Sequence, residues 1–277
     1  EESIDSNEVN ITLSEYVEEY PMVLDNSQCN DATFYTGGRK IVETDDYYFF
    51  IHKGEINEGV WAGDDVVFMK INKNNMREQS KKSLNEVSSD IITTAIAYDE
   101  NSGKICAIWD QVINDFYQIL YTESSDNGET WTTPEIINDT EENYYLPSLS
   151  IDENGKIYAA FLSFTGNLYF DTKDGDASWG TDFVSNPSVG GGISYVSISG
   201  AADNIFVSYC EQKANNVENV WCGIFDGNSF DKEKLTNCEA EYRAFRQPVV
   251  VSMGDDTAFM VCNSVQDSDF NFRYGKY

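Results

Sequence analysis

Leu146-Pro147-Ser148-Leu149-Ser150-Ile151-Asp152-Glu153-Asn154-Gly155-Lys156-Ile157-Tyr158-Ala159-Ala160-Phe161 reads as a short strand, an acidic turn containing glycine, and a second, more apolar strand. Turn residues between two β-prone runs are a hairpin pattern. The same order occurs upstream, in Ala95-Ile96-Ala97-Tyr98-Asp99-Glu100-Asn101-Ser102-Gly103-Lys104-Ile105-Cys106-Ala107-Ile108-Trp109. Looser copies run from Val196-Ser197-Ile198-Ser199-Gly200 into Ile205-Phe206-Val207-Ser208-Tyr209, and from Pro248-Val249-Val250-Val251 into Ala258-Phe259-Met260-Val261. A fifth runs from Arg39-Lys40-Ile41-Val42 through Asp45-Asp46 into Tyr47-Tyr48-Phe49-Phe50.

A third strand follows each pair: Val66–Lys70, Tyr117–Tyr121, Asn167–Phe170, Val220–Ile224 and Phe270–Tyr274. A more polar fourth strand completes the first four copies, as in Thr133-Pro134-Glu135-Ile136-Ile137. The period is roughly 50 residues, and a four-stranded meander repeated at that spacing is a propeller blade. The expected fold is therefore all-β: one β-propeller domain over residues 1–277, with blades near 30–85, 86–140, 141–190, 191–242 and 243–277. The last copy ends at Tyr277 without a fourth strand, and residues 8–25 are positioned to supply it. Joining the two ends in this way closes the ring and removes exposed sheet edges. Five blades is the count this gives; six is the alternative if two copies are merged around residues 52–90.

Composition agrees. Tyr and Phe number 17 and 16, which favours strands. Forty-eight acidic against 18 basic residues leave a net charge of −30. Such a surface repels nucleic acid and anionic lipid. No cofactor is implied, but clustered acidic turns suit a hard cation such as Ca2+. No apolar run approaches the ~20 residues of a transmembrane helix, so membrane insertion is not expected. The six cysteines, Cys29, Cys106, Cys210, Cys222, Cys238 and Cys262, form no C-x-x-C pair. His52 is the only histidine, which leaves no zinc set. An even number of cysteines allows disulfides in an oxidising compartment. Cys210 and Cys222, on consecutive strands of one blade, are the candidate pair. Asn10-Ile11-Thr12 and Asn138-Asp139-Thr140 are glycosylation sequons. Both features suit an extracellular or cell-surface protein.

The turn between third and fourth strands of the second copy reads Ser124-Ser125-Asp126-Asn127-Gly128-Glu129-Thr130-Trp131, and a degenerate copy, Thr172-Lys173-Asp174-Gly175-Asp176-Ala177-Ser178-Trp179, follows in the next. Asp126 can accept N–H bonds across the turn, Gly128 permits a left-handed backbone, and Trp131 can pack between blades. The pattern resembles the S-x-D-x-G-x-T-W Asp-box of sialidases and related propellers. That resemblance implies a structural role for Ser124, Asp126, Gly128, Thr130 and Trp131, because the boxes lie remote from the sialidase active site. Phe245-Arg246-Gln247-Pro248 is similar to the F/Y-R-I-P motif of sialidases, whose arginine helps bind the substrate carboxylate. It falls in the last copy, however, where the family places it ahead of its boxes. The family uses three arginines; only Arg39, Arg77, Arg243, Arg246 and Arg273 are present, and no general acid or Tyr/Glu nucleophile pair is identifiable.

Propellers bind ligands at the ends of the central channel. The loops leading into first strands and those joining second to third strands share one face. That face should carry Tyr145, Arg243 and Arg246 with His52, Trp109, Asp110 and Glu211. Aromatic rings beside carboxylates and an arginine suit a sugar. The expected function is a sialidase-like recognition propeller without catalysis, binding a glycan or another surface protein. A sialidase-type glycoside hydrolase and a structural subunit of a surface layer or filament are the alternatives.

Overall fold

The computed structural model describes residues 37–54, 64–137, 141–180, 183–187, 191–200, 205–212, 217–236, 243–254, 257–266 and 269–276. Among them there is no helix, and the chain is an all-β propeller of antiparallel meanders. The first sheet is β1 (Ile41–Glu43), β2 (Tyr47–Gly54), β3 (Asp65–Asn72) and β4 (Arg77–Ser83). The second is β5 (Thr94–Asp99), β6 (Lys104–Ile113), β7 (Phe116–Ser124) and β8 (Glu135–Ile136). The third is β9 (Tyr144–Ile151), β10 (Ile157–Ser163), β11 (Leu168–Lys173) and β12 (Phe183–Ser185). β13 (Ile193–Gly200), β14 (Ile205–Gln212), β15 (Glu218–Phe225) and β16 (Phe230–Lys234) form the next meander. β17 (Arg243–Ser252), β18 (Ala258–Gln266) and β19 (Asp269–Lys276) form the last, joined to its predecessor by one parallel pairing, Glu218 with Ala244. The proposed closing strand in residues 8–25 lies outside the described residues, as do both sequons, Cys29 and Cys238.

The apolar core is layered between neighbouring meanders. Phe49, Phe68, Ile96 and Trp109 fill the first layer; Ala97, Tyr121, Leu149 and Phe161 the second; Tyr158, Phe170, Ile198, Tyr209 and Phe225 the third. A middle strand therefore meets apolar neighbours on both faces. All seven residues of β10 are buried, which is why it reads as a continuous apolar run and not as an alternation.

Three aromatic contacts repeat between blades. Trp131 sits edge-on to Phe68 at 4.9 Å, Trp179 to Tyr121 at 5.0 Å, and Phe230 to Phe170 at 5.1 Å. In each case a ring from the third-to-fourth-strand turn, or for Phe230 from the first residue of the fourth strand, packs on the third strand of the preceding blade. The Ser124–Trp131 turn is self-braced for this task. Asp126 accepts the Thr130 N–H at 2.8 Å, the Thr130 hydroxyl at 2.6 Å and the Ser124 hydroxyl at 2.8 Å. These bonds hold the Asp126 carboxyl down at about 2. The Ser124 hydroxyl accepts the Gly128 N–H at 2.9 Å, and Gly128 has φ of 79°. A β-carbon there would strike the Phe68 ring. A further turn works alike: Asp226 accepts the N–H groups of Asn228 (2.8 Å) and Ser229 (2.7 Å), with Phe230 in the place of the tryptophan.

The innermost strands are linked by serine hydroxyls. Ser150 accepts the Gly200 N–H at 2.7 Å, and Ser199 accepts that of Ser252 at 2.9 Å. Each of β9, β13 and β17 also carries a bulge against its partner, with a positive φ at Leu146 (54°), Tyr195 (56°) or Gln247 (50°). Pro147 and Pro248 fall at two of these bulges, where a missing N–H breaks no ladder bond.

The Cys210–Cys222 disulfide expected from strand adjacency is not formed. Cys210 is opposite Val220 and Cys222 is opposite Ser208, so the register sets the two sulfurs two residues apart along the ladder. Cys210 packs instead with Val220, Met260 and Cys262. Cys106, Cys210, Cys222 and Cys262 are all buried thiols, and burial raises each of the first three above the ordinary thiol range.

Candidate functional site

In an antiparallel meander the turns joining first to second and third to fourth strands emerge on one face, and the second-to-third loops on the other. The braced turns occupy the first face. Two open clefts lie there, of about 560 and 470 Å³, lined by acidic turn residues that include Asp45, Asp46, Glu100 and Glu153. Among the described residues no group of three or more His, Cys, Asp or Glu side chains is placed to hold a metal ion. No described helix is long and apolar enough to cross a membrane.

On the opposite face a cleft of about 490 Å³ opens between the third and fourth meanders. Its size falls within the range of small-molecule sites. Tyr145 and Phe164 form one wall, their rings 4.7 Å apart and at 89°. Phe164 is 58% exposed although it is a large apolar residue in a loop. Tyr195, at the bulge of β13, faces them with Gln212 and Glu218. Gly166, with φ of 84°, and Gly192 form part of the lining; a β-carbon on Gly166 would come within 2.7 Å of Gly192 Cα. The two backbones thus meet where any side chain would intrude. The Ile193 N–H to Gly166 carbonyl bond (2.8 Å) ties the loop to β13.

Glu218 is the one carboxylate among the described lining residues. Its Oε2 accepts a hydrogen bond from Arg246 Nε at 2.5 Å, and its side chain is 9% exposed against 41% for Arg246. Burial raises the Glu218 carboxyl above its usual range, with Arg246 opposing the rise. Burial also raises the Tyr145 and Tyr195 hydroxyls; the Glu218 charge adds to the rise at Tyr195.

Of the residues expected on this face, Tyr145 lines the cleft and Arg246 reaches it through Glu218. Arg243 lies opposite Gln266 on the same strand as Arg246; its side chain lies outside the described residues. The others are placed elsewhere. Trp109 has no exposed surface, and its Nε1–H donates to Gln111 Oε1 at 2.9 Å. His52 is buried in the first sheet, with Nδ1 2.9 Å from the Lys53 carbonyl. Glu211 is 1% exposed. Asp110 is completely buried and accepts N–H bonds from Ile92 (2.6 Å), Thr93 (3.1 Å) and Leu146 (3.0 Å). It thereby fastens the lead-in to β5 and the bulge of β9, a structural task. Burial raises its carboxyl to about 6 and lowers the nearby Lys40 ammonium to about 7.

Phe164, Tyr195 and Glu218 were not reached from sequence. Phe164 had a signal, a lone large apolar residue in Ser163-Phe164-Thr165-Gly166 directly after an apolar strand. Tyr195 had none, because a positive φ outside glycine leaves no mark in composition.

No protein-family model matches the sequence, and no curated protein matches it. Solved structures do match in shape. A protein of unknown function from Dyadobacter fermentans aligns at 10% identity over 85% of this chain and 74% of its own, with a TM-score of 0.60. A Hadza microbial sialidase aligns at 12% over 86% of this chain, TM-score 0.53; the chain spans 57% of that enzyme's length. A thermostable family-43 glycoside hydrolase aligns at 12% over 87% of this chain and 88% of its own, TM-score 0.52. At these identities the likeness establishes a common fold, the β-propeller.

Proposed function

We propose that this propeller is a carbohydrate-recognition module without catalysis, acting outside the cell or at its surface, and that the cleft between its third and fourth meanders is the binding site. The observation carrying this reading is the right-angled wall of Tyr145 and Phe164 facing Tyr195, beside Gln212 and Glu218. Rings cover the apolar face of a sugar, while amide and carboxylate oxygens read its hydroxyls. Exposure of Phe164 to water is unfavourable for an apolar ring and is relieved when a ligand covers it. The sialidase and family-43 glycoside hydrolase that share the fold lend the carbohydrate reading further support.

A hydrolase is the second reading, because Tyr195, Glu218 and Arg246 stand together. Two arguments weigh against it. Glycoside hydrolysis by paired carboxylates needs a second acid, and the described lining supplies one only. A tyrosine nucleophile needs a free adjacent base or a more acidic hydroxyl, and the Glu218 carboxylate beside Tyr195 is already engaged by Arg246.

A glycan array probed with wild-type protein and Phe164→Ala, alongside a fluorogenic sialoside, tests the proposal. Wild type should bind a subset of glycans, Phe164→Ala should weaken that binding about tenfold or more, and the sialoside should not turn over. Sialoside hydrolysis would establish the hydrolase; a folded protein binding no glycan would remove the recognition role.

A further inference from the structure

We infer that the cleft selects neutral sugars and rejects carboxylated ones, because Glu218 holds Arg246 and leaves no uncompensated cation among the described lining residues. This deepens the carbohydrate reading above and rests on it. The remaining lining is uncharged: Tyr145, Phe164 and Tyr195 supply rings, and Thr165 and Gln212 supply hydroxyl and amide groups. Every one of these groups suits a hydroxyl-rich neutral ring.

A carboxylated sugar meets a different balance. Its carboxylate needs a cation or a set of N–H donors to replace lost water. Arg246 Nε already donates to Glu218 Oε2, and Glu218 is the more deeply buried partner. Binding an acidic sugar through Arg246 would therefore either strip Glu218 of its partner or place two carboxylates on one guanidinium. The chain as a whole carries a net charge of −30, which repels anions at longer range. For a neutral sugar the same pair is an asset. Glu218 keeps lone pairs that accept sugar hydroxyls, and Arg246 holds the carboxylate in place. The arginine that the sequence offers as a carboxylate clamp is thus the support for a hydroxyl acceptor.

The test is a matched comparison: binding of lactose-terminated and sialyllactose-terminated glycans, and of neutral and uronate-terminated oligosaccharides, measured on an array and by calorimetry at 150 mM salt. Wild type should bind neutral members at least about tenfold more tightly than their carboxylated counterparts. Glu218→Gln, which removes the negative charge and leaves that of Arg246 uncompensated, should narrow or invert that ratio. Adding Arg246→Ala to Glu218→Gln should abolish the gain for acidic sugars. Carboxylated members binding wild type as tightly as neutral ones would overturn the selectivity while leaving glycan recognition intact. Glu218→Gln binding neutral sugars with no gain for acidic ones would overturn the role of the ion pair. Folded wild type binding no sugar at all would overturn the recognition role, and the selectivity with it.

Discussion

Asp110 links fold and pH in a way that can be measured. Its carboxylate accepts three backbone N–H groups in a fully buried site. Asp110→Ala orphans all three; at roughly 2 kcal/mol for each unsatisfied buried donor, the gross loss is about 6 kcal/mol. Part of this is offset, because the ionised carboxyl is costly there. It titrates at about 6 in the folded chain, against the ordinary 3.8. At about 1.4 kcal/mol per pH unit, ionisation above pH 6 costs about 3 kcal/mol. The net destabilisation at pH 7 is therefore about 3 kcal/mol. Between pH 3.8 and 6 the folded state keeps a proton that the unfolded chain has released. Stability from this group consequently falls as pH rises through that window and is level above it. At pH 5 less of the ionisation cost is present, so Asp110→Ala and Asp110→Asn should both compare worse with wild type at pH 5 than at pH 7, by about 1 kcal/mol. Lys40 acts in the opposite sense at higher pH. Its ammonium is lowered to about 7 against 10.5, so its contribution to stability recovers as pH rises between those values. Urea unfolding of wild type and both variants at pH 5 and 7 decides the matter. Identical pH slopes in all three proteins, or an Asp110→Ala protein as stable as wild type, would refute the reasoning.

Three further outcomes follow from the same geometry. Asp126→Ala removes the acceptor for Thr130 and Ser124 and should lower the melting temperature while sparing glycan binding on the opposite face; lost binding at an unchanged melting temperature would mean the faces are misassigned. Gly128→Ala places a β-carbon against Phe68 at a positive φ and should destabilise by about 2–4 kcal/mol in urea titrations, combining backbone strain with overpacking. Alkylation in denaturant without reductant should label Cys106, Cys210, Cys222 and Cys262, and a cross-linked Cys210–Cys222 peptide would contradict the register.

The strands were legible because their cause is local. Val66–Lys70 and Tyr117–Tyr121 were read as third strands from β-prone runs between turns, and β3 and β7 enclose both. The self-braced turn was legible for the same reason: Ser124, Asp126, Gly128 and Thr130 bond to one another within seven residues. Its partner was not, since Phe68 lies in another blade and only the fold brings it under Trp131. The site was harder. Trp109 and Asp110 lie within β6 and Glu211 near the end of β14, second strands along which sequence cannot tell a side chain turned toward solvent from one turned into the next blade. All three turn inward. Glu218 was missed because its significance comes from Arg246, 28 positions away. The Cys210–Cys222 expectation failed on register, which adjacency of strands does not determine.

The acidity of the chain has a bearing on where recognition occurs. Asp99, Asp126, Asp152 and Asp226 each accept backbone N–H bonds inside a turn on one face. A carboxylate committed to its own turn does so best when ionised, which is why Asp126 and Asp226 are both lowered. Repeating a braced turn in blade after blade therefore accumulates negative charge on that face as a by-product of folding. The open clefts there inherit that charge, with Tyr47 and Tyr98 in their lining, and among the described residues no group of ligands is placed for a cation. The opposite face has different needs. There Tyr145 and Tyr195 project from the first strands β9 and β13, and Phe164 from the loop after β10, into one cleft. One exposed ring in such a place is ordinary for a protein surface. Two rings at right angles facing a third, beside a carboxylate held by an arginine, form a surface organised before any ligand arrives, and organisation of that kind lowers the cost of binding.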